Sequence, residues 1–215
     1  MPDFVARYIG LAVFLVFAVM FKFIVTRSGT SDREKREQFM QDEREANFSR
    51  VREIPEDVYY HPDTSKLPVK EYPDQSARVA LMQSRALKAA EKPMLRLDPP
   101  MSNIDIKRAF GATSLDMITT REEYYEQYIR ALANWATELI GLENYDDAET
   151  VLNVCVDMSA LFFLPYSLLC DVYAQKGDRE ALHALKDKID NRDIIKDNDM
   201  LFRKISDYIK LKLNE

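Results

Sequence analysis

Glycine, cysteine and histidine are scarce here, with 5 Gly, 2 Cys and 2 His in 215 residues. So little glycine argues against glycine-rich phosphate loops, many tight hairpins and collagen-like or low-complexity architectures, and makes helix the default expectation. No G-x-x-x-x-G-K, G-x-S-x-G or H-E-x-x-H string occurs. A Ser-His-Asp or Cys-His arrangement would have to use His61, in a proline-rich stretch, or His183, inside a helical pattern. Asp193, Asp197 and Asp199 lack the spacing and central glycine of a calcium loop. Cys155 and Cys170 form no C-x-x-C pair, have no histidine at zinc-ligand spacing, and sit in apolar runs, so two buried free thiols are expected. The expectation is therefore no catalytic residue, no cofactor and no metal site, with an unrecognised enzyme kept as the third choice of function.

Positive charge is also short where it would matter for nucleic acid. Residues 1–112 carry 18 Lys and Arg against 16 Asp and Glu, whereas residues 113–215 carry 12 against 20. Binding to phosphates depends on counterion release by clustered Lys and Arg, which an acidic C-terminal half opposes. No nucleic-acid partner is expected.

One long apolar run is present. Residues 4–25 read FVARYIGLAVFLVFAVMFKFIV; as a helix they would extend about 33 Å, enough for a hydrocarbon core of about 30 Å. Arg7 and Lys22 lie within about a turn of its ends, where long stems snorkel to the interface. No small-residue cleavage site follows, and Thr26-Arg27-Ser28 takes its place, so an uncleaved single-pass anchor is expected over a signal peptide. Lys22, Arg27, Arg33, Lys35, Arg36 and Arg44 on the C-terminal side outnumber Arg7 on the other. That bias predicts a C-terminal domain on the cytoplasmic side.

Beyond the run, Ser31 to Glu34 has capping-box spacing, predicting a charged juxtamembrane helix over 31–53. Pro55, Pro62, Pro68 and Pro73 then predict an extended, proline-rich tether over 54–75, with Tyr59, Tyr60 and Tyr72 packed on a domain surface. Residues 76–112 read as helical, broken by Pro93, Pro99 and Pro100. A long helix is expected from Thr120, which has capping-box spacing to Glu123, with Tyr125, Tyr128, Leu132, Trp135, Ala136, Leu139 and Ile140 on one face. A second follows from Asp146, with Ala148, Val151, Leu152, Cys155 and Met158 inward.

This helix pair recurs. Leu132, Trp135-Ala136 and Leu139 correspond at an offset of 34 to Tyr166, Leu169-Cys170 and Tyr173. Ala148 aligns with Ala181 at an offset of 33, so the second inter-helix turn counts one residue shorter. The pattern resembles the tetratricopeptide repeat, in which a large residue, a leucine with a small residue, and another large residue line the first helix and an alanine opens the second. The resemblance covers about residues 129–190 and implies a mostly α fold of the α-solenoid type over 120–215. Its repeats would span about 129–162 and 163–190, with a cap helix over 199–213.

The resemblance further implies a binding scaffold whose first helices line a groove. By position that groove would hold Arg130, Ala133, Asn134 and Thr137 from the first repeat and Ser167, Asp171 and Gln175 from the second. Ala133 and Thr137 stand where the family's chaperone-binding clamp has lysine and asparagine, so another mode of recognition of a protein or peptide partner is expected. The expected function is a single-pass, membrane-anchored adaptor, its bilayer partner engaged through residues 4–25. The alternative is a structural or assembly subunit of a larger membrane complex.

Overall fold

The computed structural model describes Val16, Phe17, Met20, residues 33–73 and residues 76–214. Most of the apolar run 4–25, and Ser31 of the first capping box, lie outside the described residues. Among the described residues no helix is long and apolar enough to cross a membrane. The fold is mostly α, and the chain divides into two compact units, one drawn from residues up to Arg52 and from Ser102–Thr113, the other from Glu53–Met101 and Ser114–Glu215.

In the first unit, α1 (residues 33–47) and α3 (Asn103–Phe110) are the described helices. Ser102 caps α3 by accepting from the Asp105 amide at 3.2 Å. Ion pairs join the helices, Arg108 to Asp42 at 2.6 Å and Lys107 to Glu43 at 3.1 Å. Gly111, at φ +90°, ends α3 where the chain passes Val51 so closely that a Cβ would stand 2.8 Å from the Val51 Cα. Glycine is required there both by conformation and by space.

The second unit is built on α4 (Leu115–Gly141). This helix starts five residues before Thr120: a 3-10 turn over Ala112–Ser114 leads into it, and the Thr119 hydroxyl bonds back to the Leu115 carbonyl at 3.0 Å. The Thr120–Glu123 spacing thus lies inside the helix, where every backbone donor already has an intrahelical acceptor. Against α4 pack α2 (Ala77–Ala90), α5 (Tyr145–Asp157) and α6 (Leu164–Lys176). Then α7 (Arg179–Asp190), the short α8 (Asp193–Lys196) and α9 (Asp199–Asn214) follow, with α9 against both α6 and α7. Trp135, Tyr128, Tyr166, Leu132, Leu139, Leu152 and Leu169 are fully buried in one continuous core.

The described part of the tether, residues 54–73, is extended apart from two 3-10 turns at Glu56–Val58 and Thr64–Lys66, and it packs within the second unit. Its β1 (Tyr59–Tyr60) pairs antiparallel with β2 (Met94–Leu95), and Leu67 is buried. Lys70 and Gln83 exchange two bonds, at 3.1 and 2.9 Å, and Lys70 pairs with Asp147. Its prolines prevent a helix but not attachment, because pairing and side-chain burial can hold an extended chain. Residues 76–112 contribute to both units, through α2 and β2 in the second and α3 in the first.

The two helix pairs close in the same way. At the end of α4 the Asn144 amide donates to the Leu139 carbonyl (3.0 Å) and Glu143 to Ile140 (2.9 Å); at the end of α6 Asp178 donates to Tyr173 (2.9 Å) and Gly177 to Ala174 (3.1 Å). These are Schellman motifs, with Glu143 and Gly177 left-handed at φ 57° and 69°. Each member is displaced by 34 residues, as are the starts of α5 and α7. The structural offset is therefore 34 throughout: Leu182, 1% exposed, stands in the place of buried Ala148, and Ala181 is only half-buried. No residue is missing from the second turn. A third Schellman motif ends α5, where Ser159 is left-handed at φ 52° and the Ala160 amide reaches the Cys155 carbonyl at 3.1 Å.

Candidate functional site

The residues expected to line a groove do not converge. Arg130 is exposed; it meets Glu126 at 3.4 Å and its guanidinium lies 4.8 Å from the centre of the Phe162 ring. Ala133 is fully buried and cannot touch a partner, because α4 turns that side into the core. Asn134 and Thr137 are exposed, and the Thr137 hydroxyl is spent on the Ala133 carbonyl of its own helix at 2.9 Å. The Ser167 hydroxyl is likewise spent on Leu164, at 3.0 Å. Asp171 accepts from the Tyr208 hydroxyl at 2.8 Å and faces Lys212 Nζ at 3.3 Å, so its carboxylate is engaged by the terminal helix. Asp171 and Gln175 do share one open cleft of about 560 Å³, together with Tyr145, Arg179 and Lys212.

A second cleft, of about 240 Å³, is formed by the segment after β2, one side of α4 and the loop from α5 to α6. Its apolar walls are Leu95, Leu97, Pro100, Met101, Ile129, Leu161 and Phe162; its polar groups are Arg96, Glu122, Tyr125, Glu126, Arg130 and Ser159. Arg130 is the one groove residue expected from sequence that lines it. Arg96 was not expected. Its Nη1 donates to the Tyr125 hydroxyl at 2.9 Å and to the Met158 carbonyl, while its Nη2 is buried with no acceptor among the described residues. No described carboxylate forms an ion pair with it.

The Schellman turn at Ser159 makes this arrangement possible by aiming successive carbonyls in different directions. The Met158 carbonyl also accepts from Tyr125 at 2.5 Å, the Ala160 carbonyl from Tyr166 at 2.9 Å, and the Asp157 carbonyl from Arg192 Nη1 at 2.7 Å. Opposite, Glu122 accepts from the Leu97 amide at 3.3 Å, and burial holds its carboxyl above the usual carboxylate range. The cleft therefore sets the Arg96 guanidinium, whose unpartnered Nη2 is buried, beside apolar walls that suit an apolar side chain. The available signal in the sequence was Arg96 itself, a lone cation in Met94-Leu95-Arg96-Leu97 between Pro93 and Pro99.

Both cysteines are free and buried, as the apolar runs around them suggest. Burial pushes the Cys170 thiol up to about 12 and that of Cys155 higher still. His61 and His183 are both exposed. No group of three or more His, Cys, Asp or Glu able to hold a metal is present among the described residues. Comparison with family models, curated proteins and solved structures finds no match to this chain.

Proposed function

We propose that this protein is a single-pass, membrane-anchored scaffold whose tetratricopeptide-like helical stack holds a protein partner, without catalysis of its own. The observation that carries the reading is the recurrence of one hairpin closure at a fixed 34-residue displacement, in α4–α5 and again in α6–α7. Stacked hairpins of this period present side chains of several helices to one ligand. In this reading α9 caps the stack by packing on α6 and α7. The apolar run 4–25 supplies the anchor, and anchoring raises the effective concentration of the binding face at the bilayer.

Partner contact is assigned to the Arg96 cleft rather than to the groove expected from sequence, where α9 already engages Asp171. An apolar side chain of the partner fits its walls best. The test uses the full chain, tagged and extracted from its own membranes with mild detergent, beside Leu161→Asp and Arg130→Glu, both on the cleft rim. A partner that co-purifies with the parent and is lost from both variants, with helicity unchanged, supports the reading. An identical set of co-purifying proteins for parent and variants removes the cleft from the proposal, and release of the parent by alkaline carbonate removes the anchor. The side of the membrane is read by labelling Ser65→Cys, on an exposed turn, with an impermeant thiol reagent in intact cells. Protection until permeabilisation places the domain in the cytoplasm.

A further inference from the structure

We propose that the surface formed by β2, α2, α4 and α5 is a binding site for extended peptides, and that tether residues 58–72 occupy it as a displaceable ligand carried on the same chain. The proposal needs neither the membrane anchor nor a partner in the Arg96 cleft.

The tether is held as a peptide ligand is held. Its main chain is read near both ends: the Arg96 amide donates to the Val58 carbonyl at 2.8 Å beside the β1–β2 pair, and Gln83 of α2 accepts from the Lys70 amide at 3.1 Å and donates to the Lys70 carbonyl at 2.9 Å. Strand pairing and a side-chain amide recognise backbone whatever side chains it carries, which is how sheet edges take up extended peptides. Selectivity then falls to a few side chains. The Tyr60 and Tyr125 rings meet at 87° with centroids 5.3 Å apart, Leu67 is buried, Tyr72 faces Trp135, and Lys70 pairs with Asp147 in the first turn of α5. The partner that fits is an extended segment with an aromatic residue, a leucine seven positions on, a second aromatic five beyond that, and a lysine between the last two.

Little of the tether is committed to the core. Among residues 54–73 only Leu67 is buried, whereas α4 alone buries nine side chains. At this contact the Tyr72 and Tyr128 hydroxyls and the Trp135 indole nitrogen are all buried with no partner among the described residues. Burial raises the Tyr128 hydroxyl, and Tyr60 and Asp63 of the tether raise it further; Trp135 faces the Tyr72 hydroxyl without closing a hydrogen bond. On release, solvent reaches these groups and the tether regains its conformational freedom. Both gains oppose the burial of Leu67 and the tyrosines, so the docked segment is one that opens locally, apart from the helical core, and that a competing peptide can replace.

Trp135 is the only tryptophan in the chain, so its fluorescence reports on the site. In the full-length chain in detergent, Leu67→Asp is expected to release the tether: Trp135 emission moves to the red and acrylamide quenching rises, with helicity unchanged. A synthetic peptide of residues 54–73, which carries no tryptophan, is expected to restore the blue emission, and the same peptide with Leu67→Asp is not. The parent, its site already filled, is expected to bind the peptide at least about tenfold more weakly than the released variant. Amide exchange in the parent gives a reading that needs no substitution. The Lys70 and Arg96 amides, both bonded across the tether contact, are expected to exchange at least about 100-fold faster than those in the middle of α4. Exchange of these two amides at the α4 rate, or loss of helicity along with the red shift in Leu67→Asp, makes the tether an inseparable part of the fold and overturns the proposal. A released variant that ignores the peptide, or a parent that binds it equally well, overturns it too.

Discussion

The left-handed residue at the end of α4 offers a quantitative check on the repeated hairpin. Glu143 and Gly177 occupy the same position in two closures of the same geometry, with φ 57° and 69°, yet only one of them is glycine. A side chain in the left-handed region costs about 1–2 kcal/mol, while glycine gives back about 0.4–1 kcal/mol through the greater freedom of the unfolded chain. Glu143→Gly is therefore expected to stabilise the second unit by about 0.5–1 kcal/mol. Gly177→Ala runs the comparison in reverse. An added Cβ there meets nothing within 4 Å, so no packing change obscures the backbone effect, and a loss of about 1 kcal/mol is expected. In a domain of this size each kcal/mol moves Tm by about 2–4 °C, so thermal and urea unfolding followed by circular dichroism resolves both shifts. Opposite signs at the two positions are the essential result. If Glu143→Gly lowers Tm, or Gly177→Ala leaves it unchanged, the two turns are not equivalent and the argument from their recurrence falls.

Three other perturbations probe the packing. The Tyr128 hydroxyl is buried without an acceptor among the described residues, whereas that of Tyr166 bonds the Ala160 carbonyl at 2.9 Å. Tyr128→Phe should thus be neutral or stabilise by up to about 1 kcal/mol, and Tyr166→Phe should cost about 1–2 kcal/mol, both read by urea midpoints. Burial raises the Tyr60 hydroxyl and the Cys170 thiol each to about 12, from ordinary values of 10.0 and 9.0. Between about pH 8 and 12 the unfolded chain releases these protons before the folded one does, so the contribution of these two groups to stability is constant below about pH 8 and is lost as pH rises toward 12. Tyrosinate absorbance and thiol alkylation should then appear together with loss of helicity; alkylation of the folded protein at neutral pH would contradict the burial. Gly111→Ala places a Cβ against backbone at a left-handed φ, and a loss of about 2–3 kcal/mol from the first unit is expected, seen as faster amide exchange in α1 and α3.

Local pattern accounts for the part of the fold that was legible in advance. The helical spacing of Tyr125, Tyr128, Leu132, Trp135 and Leu139 matches the buried face of α4, and α5, α6, α7 and α9 lie within a few residues of where periodicity puts them. Periodicity works because three- and four-residue steps bring side chains onto one face whatever the partner. Helix ends were less visible. Two of the three Schellman turns use Glu143 and Ser159 instead of glycine, leaving no residue type to announce them. The match of Ala148 to Ala181 follows residue type alone, and the hydrogen bonds move it by one position, to Leu182.

The sequence by itself determined a helix-rich chain, an apolar run at 4–25, an acidic C-terminal half, two thiols in apolar surroundings and a helix pair repeating at 34 residues. Those are properties of composition and of spacing within one or two helices. Tertiary structure alone decided that the proline-rich stretch pairs with β2, that α9 takes up Asp171, and that Arg96 meets Tyr125 and Met158 beside an apolar cleft. Each of these joins residues roughly 30 or more positions apart. Such a pairing depends on how whole elements dock, and no local propensity or periodicity encodes it.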